Sequence, residues 1–221
     1  MAARHLILEL TATLSLIQFP QLCFATPDFA MSDLHVSWSE YHHAIEQLAA
    51  KVYQSNWRFN QIVCLAKGGL RIGDVLSRIY DVPLAILATS SYGGLGNTVR
   101  GSITFSQDLT MTTANLGSHV LLVDDLVDSG VTLKKTLTWL DRKYGFYVEE
   151  IRTAVLWYKE CSVIAPDYYV DYLPDNPWIH QPFERYEQMS PADLAVSHTA
   201  SSDGLRVFEV APTSAMDRRG Q

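Results

Sequence analysis

Positive charge is in short supply in this 221-residue chain: 17 Lys and Arg face 24 Asp and Glu, a formal net charge of -7. A protein that holds nucleic acid by its backbone needs the opposite balance, so nucleic acid is not expected among the partners. A small anionic metabolite is still compatible, because one local pocket can be positive on an acidic protein. Cysteine is also scarce. Cys23, Cys64 and Cys161 show no metal-ligand or redox spacing, and their odd number argues against a disulfide scaffold and fits a reducing compartment. The histidines have no metal spacing either; His42 and His43 are adjacent in a predicted helix and read as ordinary helix residues. GxGxxG is absent, which disfavours a dinucleotide site, and the absence of GxxxxGK[ST] excludes a P-loop. There is no internal repeat. With 48% apolar residues, the chain can nevertheless bury a core and is not disordered throughout.

The two ends differ from the middle. Arg4 and His5 precede an uncharged stretch from Leu10 to Pro27, and Cys23-Phe24-Ala25 follows the pattern of a small-residue cleavage site. The stretch is too short and too polar for a membrane span, and no firm membrane assignment follows. Residues 1–30 read as an N-terminal extension, from an upstream start or as a weak export signal. The expected location is cytoplasmic, or exported or organellar if the signal is real. Residues 31–187 form the expected working domain. Residues 188–221, rich in small polar side chains, are expected to be a disordered tail.

In the middle, Ser37 to Glu40 spells a capping box, and Tyr41, Ile45, Leu48, Ala49 and Val52 make one helical stripe to about Tyr53. Gln61 to Leu65 predicts a strand. Leu70 to Tyr80 predicts a helix with Ile72, Val75, Leu76 and Ile79 inward, ended by Asp81. A strand from Pro83 to Leu87 leads to a glycine-rich loop, Ser90 to Gly101. A short strand near Ser102 to Phe105 and a connection from Asp108 to Leu116 follow. His119 to Asp125 is an unalternated apolar strand, as a parallel strand buried on both faces would be. Val131 to Tyr144 predicts a helix, and Glu150 to Trp157 and Tyr168 to Leu173 predict further strands. Strands alternating with helices imply an α/β fold: an open, mostly parallel sheet with helices on both faces and ligands at the carboxyl ends of the strands.

Asp124 and Asp125 close the strongest strand, and Asp128, Ser129, Gly130, Val131 and Thr132 lead into a helix. Two adjacent carboxylates on a buried strand repel each other and call for a compensating metal or hydroxyls. Carboxylates hold hard cations or sugar hydroxyls, and the open N–H groups of the first helical turn hold a phosphate. A metal–phosphate–sugar site is therefore expected. The bland alternative is a turn whose aspartates decorate it, Asp128 or Ser129 capping the helix.

Val120 to Leu133, VLLVDDLVDSGVTL, resembles the phosphoribosyl-diphosphate (PRPP) signature of the type I phosphoribosyltransferases. The resemblance implies that Asp124 and Asp125 meet the ribose hydroxyls and the Mg²⁺-bound substrate, with Asp125 the more direct metal contact. It also implies that Ser129, Gly130, Val131 and Thr132 cradle the 5′-phosphate, and that Asp128 sits by N7 of a purine as the catalytic residue. Ala66-Lys67-Gly68-Gly69 resembles the family's diphosphate loop, with Lys67 where an arginine stands in bacterial relatives. Ser91-Tyr92 and the glycines after them resemble the flexible loop that closes over the reaction centre, and Arg100 is a weaker diphosphate candidate.

Lys159, DYYVDYLPDNP and Trp178-Ile179 resemble the base-binding block of the bacterial xanthine–guanine phosphoribosyltransferases, and His180-Gln181-Pro182-Phe183-Glu184 continues it. The resemblance implies that Lys159 reaches the purine O6, Trp178 stacks on the ring and the Ile179 backbone meets its edge, within a small base-binding hood. Physical reasoning agrees: a flat base needs an aromatic plate, and a lysine donor suits a carbonyl and disfavours an amino group. Trp157, Tyr158, Tyr168, Tyr169 and Tyr172 read as packing residues. The implied activity is transfer of phosphoribose from PRPP to guanine, xanthine or hypoxanthine in purine salvage, with Mg²⁺, by a homodimer or tetramer. Another acceptor base, or a PRPP-binding regulator without turnover, remains the alternative.

Overall fold

A computed structural model describes residues 33–91 and 103–199. Residues 1–32, Tyr92, Arg100, the rest of the glycine-rich loop and the end of the tail lie outside the described residues.

The capping box at Ser37 forms in both directions: its backbone N–H donates to Glu40 Oε2 at 2.8 Å, and its Oγ accepts from the Glu40 N–H at 3.2 Å. It starts α1 (Trp38–Gln54), whose buried stripe is Tyr41, Ala44, Ile45, Leu48, Ala49 and Val52. Helix α2 (Leu70–Tyr80) ends on Asp81 in the left-handed conformation. Ile79, expected inward, is 53% exposed. The buried phase runs through Ile72 and Leu76 to Tyr80, which packs on the core and leaves Ile79 on the flank. Helix α3 (Val131–Tyr144) buries Leu133, Thr136 and Leu140.

The strands are β1 (Leu34–His35), β2 (Gln61–Ala66), β3 (Leu84–Ser91), β4 (Ile103–Phe105), β5 (Thr110–Met111), β6 (His119–Val123), β7 (Leu126–Val127), β8 (Glu150–Lys159), β9 (Tyr168–Leu173) and β10 (Ile179–His180). The main sheet runs β4-β3-β2-β6-β8, with β5 beside β3 and with β7 and β9 on β8. β2, β3, β6, β7, β8 and β9 pair in parallel; β4 and β5 join β3 antiparallel. Alternate residues of the central strands face opposite layers. Ile62, Leu121 and Leu156 join α1 and α2, whereas Val63, Leu122 and Val155 join Leu133 and Leu140 of α3. This is the α/β fold expected: an open, mostly parallel sheet with helices on both faces.

The path β2–α2–β3 winds one way and β6–α3–β8 the other. The chain therefore reverses direction between β2 and β6, and the crevice beyond their carboxyl ends is where such sheets bind ligands.

The tail is not wholly irregular. After a 3-10 turn at Glu184–Glu187 that ends the expected working domain, α4 spans Pro191–Thr199 within the expected tail. Ser190 Oγ accepts from the Asp193 N–H at 3.1 Å, while the Ser190 N–H donates to Asp193 Oδ2 at 3.3 Å. That reciprocal cap, with proline at the first helical position, overcomes the small-polar composition that predicted disorder. No helix among the described residues is long and apolar enough to cross a membrane.

Candidate active site

The crevice at the reversal holds a cavity of about 760 Å³. Lys67 and Gly68 enter it from the β2–α2 turn, Asp124 and Asp125 from the end of β6, and Thr132 from the start of α3; Trp178 and Gln181 face them from either side of β10. The Ala66–Lys67 peptide is cis.

The acid pair sits in a gap in one continuous ladder. β6 places Val123 opposite Ala154 and β7 places Leu126 opposite Trp157, the same register, so Asp124 and Asp125 leave the pairing without shifting it. The Asp125 carbonyl accepts from the N–H groups of Leu156 and Trp157 at 3.0 and 3.1 Å, which anchors the break to β8. Asp124 Oδ1 accepts the Asp125 N–H at 3.0 Å. Burial, and then the neighbouring Asp125 charge, push the Asp124 carboxyl well above its ordinary range. Asp125 Oδ2 accepts from Gln181 Nε2, while Gln181 Oε1 is buried with no partner among the described residues. Oxygen donors beside an orphan acceptor form a set that fits a hard divalent cation or sugar hydroxyls.

The two glycines of the β2–α2 turn allow this closeness. A Cβ on Gly68 would run into the Asp125 carboxylate. One on Gly69 would meet backbone, the Val123 carbonyl first, then Leu65 O at 3.0 Å and Asp124 Cα at 3.1 Å. Gly68 lines the cavity, whereas Gly69 is the α2 N-cap packed beneath it.

The loop from Asp128 to Thr132 is braced from below: the Val163 N–H donates to the Ser129 carbonyl at 3.0 Å. Neither Asp128 nor Ser129 caps α3. The cap is Gly130 at φ 75°, and it makes no side-chain cap bond. Ser129 Oγ accepts the Val131 N–H at 3.5 Å, and the later first-turn N–H groups are left for an anion, with Thr132 on the cavity wall. The Val131 side chain lines a different groove, with Lys134, Trp139 and Val163, so only its backbone can serve the loop.

Lys159 ends β8, only 6% exposed, with Nζ 3.3 Å from Asp128 Oδ1. The two adjoin the cavity through the loop that leads to Thr132 and do not form its wall. Trp178 is 61% exposed at the cavity; Ile179 is buried in the core and offers only its backbone. Ser91 ends β3 at the start of the glycine-rich loop. Trp157 is a core residue, and Tyr168 bonds to Ser55 and Arg152 through its hydroxyl. Gln181, which faces the acid pair, is the side chain that residue chemistry did not single out; its sequence signal was its place in the block that continues the base-binding resemblance.

A family model described as the phosphoribosyl transferase domain matches residues 37–188. The xanthine-guanine phosphoribosyltransferase of Idiomarina loihiensis is 27% identical over 155 residues, covering 70% of this chain and 88% of that protein. The enzyme of the same name from Gluconobacter oxydans is 28% identical, covering 67% of this chain and 83% of the other. Among solved structures, a purine phosphoribosyltransferase from Pyrococcus horikoshii superposes with a TM-score of 0.57 at 28% identity, over 69% of this chain and 94% of that one. With a family match that runs from the cap of α1 past the 3-10 turn, this chain belongs to the phosphoribosyltransferase domain family.

Proposed function

We propose that this protein transfers the 5-phosphoribosyl group from PRPP to a 6-oxopurine, giving the nucleoside monophosphate and diphosphate. The observation that carries this reading is the Lys159–Asp128 contact of 3.3 Å next to the acid pair. A donor beside an acceptor is the complement of the O6 and N7–H edge of a 6-oxopurine. Adenine would set an amino group against the Lys159 ammonium, a donor against a donor.

Each loop then has a task. The Ser129–Thr132 backbone and hydroxyls bind the 5′-phosphate, and Asp124 and Asp125 order the ribose hydroxyls. Lys67 and the Gly68 N–H receive the diphosphate, with Gly69 holding the turn. Trp178 stacks on the base, and the Ile179 backbone meets its edge. Mg²⁺ bound with PRPP, held on the Asp125 side, supplies positive charge to the diphosphate. As the N9–C1′ bond forms, the C1′–oxygen bond breaks and its electron pair leaves with diphosphate. The N7 proton passes to the Asp128 carboxylate. On the same reading, Ser91 and the loop that begins with Tyr92 close over the centre.

The direct test is diphosphate release with PRPP, Mg²⁺ and, in turn, guanine, xanthine, hypoxanthine, adenine and uracil. Release with one or more of the first three, and not with adenine or uracil, is the expected result. Turnover of uracil or adenine alone would contradict the assignment of the base side, and turnover of none would contradict catalysis.

A further inference from the structure

We infer that Asp33, His35 and His180 form a second metal site, specific for a borderline divalent cation such as Zn²⁺ and separate from the acid pair. β1 and β10 make a two-stranded parallel sheet, with Leu34 opposite Ile179 and His35 opposite His180. Asp33 and His35 flank Leu34, and residues two apart in an extended chain point to the same face. One face of the pair, with Leu34 and Ile179, packs into the core. The other gathers the aspartate and both imidazoles, and their ligand atoms all lie within 4.8 Å of one another.

The two rings stack at a centroid distance of 4.4 Å and an interplanar angle of 12°, so their in-plane lone pairs run side by side, and the exposed His35 ring must turn before both meet one ion. His180 Nε2 is 2.9 Å from Asp33 Oδ2, while His180 Nδ1 is 3.6 Å from Glu184 Oε2. His180 thus turns Nε2 into the ligand cluster, where it shares a hydrogen bond with Asp33 that a cation would replace. Glu184 stands on the other side, beyond hydrogen-bond range but close enough to take the Nδ1–H of a metal-bound ring after a small movement. Bonds of about 2.0–2.1 Å to a tetrahedral ion set ligand atoms roughly 3.4 Å apart, so the His180–Asp33 pair opens slightly from 2.9 Å while wider pairs close by up to about 1.4 Å, which exposed side chains can follow. Two imidazoles and one carboxylate suit Zn²⁺, Ni²⁺ or Cu²⁺, whereas Mg²⁺ prefers all-oxygen sites. Asp33 and His35 are exposed, so solvent can fill the remaining coordination positions.

The spacing is invisible along the chain, because 144 residues separate His35 from His180 and only the β1–β10 pairing brings them together. A cation here would clamp β1 to β10. His180 itself and Glu184 line the large cavity, together with Trp178 and Gln181 on either side of that strand. The proposal does not depend on the transferase reading, and its test contains no substrate.

Full-length protein, stripped with a chelator, is titrated calorimetrically with Zn²⁺ alone and with Mg²⁺ alone. One Zn²⁺ per chain is expected, with a Zn²⁺-dependent rise in Tm and a visible absorption band when Co²⁺ replaces it. The double variant Asp33→Asn, His35→Asn should lose affinity by at least about tenfold and lose both signals. In the unaltered protein, Zn²⁺ should shift the ring resonances of His35 and His180 ahead of those of the other histidines, a readout that stands even if the variant misfolds. Wild-type affinity in a folded double variant, resonance shifts confined to other histidines, or no Zn²⁺ binding would overturn the site.

Discussion

Lys159 Nζ and Asp128 Oδ1 lie 3.3 Å apart across a sharp gradient of exposure: the lysine side chain is 7% exposed and the aspartate 57%. The pair thus presents its acceptor to solvent and keeps its donor inside. Asp128→Asn keeps the shape and removes what the proposed reading makes the proton acceptor. Turnover should fall by about 100-fold or more, with the KM for PRPP changed by no more than a few-fold. Steady-state kinetics with varied PRPP distinguish this from an equal loss of both, which would argue against the base role.

Lys159→Gln tests recognition separately. The amide can donate or accept, so it should raise the KM for a 6-oxopurine by about tenfold, the worth of one charge-assisted hydrogen bond less the neutral bond that replaces it. It should also weaken the exclusion of adenine. Competition between hypoxanthine and adenine gives the ratio of kcat/KM directly, and an unchanged ratio would move specificity elsewhere.

The two glycines of the β2–α2 turn should separate binding from stability. The Cβ of Gly68→Ala meets a carboxylate that can rotate, so the variant should fold and lose affinity for PRPP as Asp125 is displaced. The Cβ of Gly69→Ala meets only backbone atoms of β2 and the β6 end. It should cost about 1–3 kcal/mol, as overpacking a tight contact does, and lower Tm by several degrees. Calorimetry of both variants with and without PRPP checks the contrast.

Much of this arrangement is written locally in the chain. The Ser37 box, the β6 apolar run and the bounds of α2 and α3 depend on residues within a turn or two of each other, and they are where the pattern puts them. The strand pair β1 and β10 is not written that way. Two residues have no periodicity, and Leu34 becomes a strand only because Ile179 lies beside it. Gln181 is hidden for the same reason: a glutamine after a histidine carries no chemistry until β10 turns it toward Asp125. The residues that lead into the acid pair were legible because a buried apolar strand ending in two carboxylates is a local contradiction. Ile79 misled because a helix of three turns leaves its last apolar residue free to fall on either side of the stripe.

Cys64 and Tyr41 tie stability to alkaline pH. Burial pushes the Cys64 thiol up to about 12, and burial, then the Asp125 charge, raise the Tyr41 phenol as well. Both groups bind their protons more tightly in the folded state. Their contribution is complete below the ordinary thiol value of about 8.5 and is lost as pH rises toward the folded values. Urea midpoints should therefore fall above about pH 9, and a thiol reagent at neutral pH should leave Cys64 intact until the chain unfolds. Tyr41→Phe should remove part of the alkaline loss. It should not destabilise at neutral pH, because the buried Tyr41 hydroxyl has no hydrogen-bond partner among the described residues to lose.

Asp124 sets the opposite dependence for ligand binding. Its carboxyl is held above the ordinary range first by burial and then by the charge of Asp125, so ionising it in the free protein costs stability. On the proposed reading, ribose hydroxyls and Mg²⁺ bound with PRPP would favour the ionised form. Binding at pH values below the raised pKa should therefore release a proton, and affinity should weaken by up to about tenfold for each further pH unit of acidification. Calorimetry of Mg²⁺ and PRPP in two buffers of different ionisation enthalpy measures that proton. Asp124→Asn should bind less tightly above the raised pKa and should lose the proton release. If the variant keeps it, another group in the crevice is the one that titrates. Leaving Mg²⁺ out of the wild-type titration should weaken PRPP binding and shrink the proton signal, since the cation would supply part of the field that ionises Asp124.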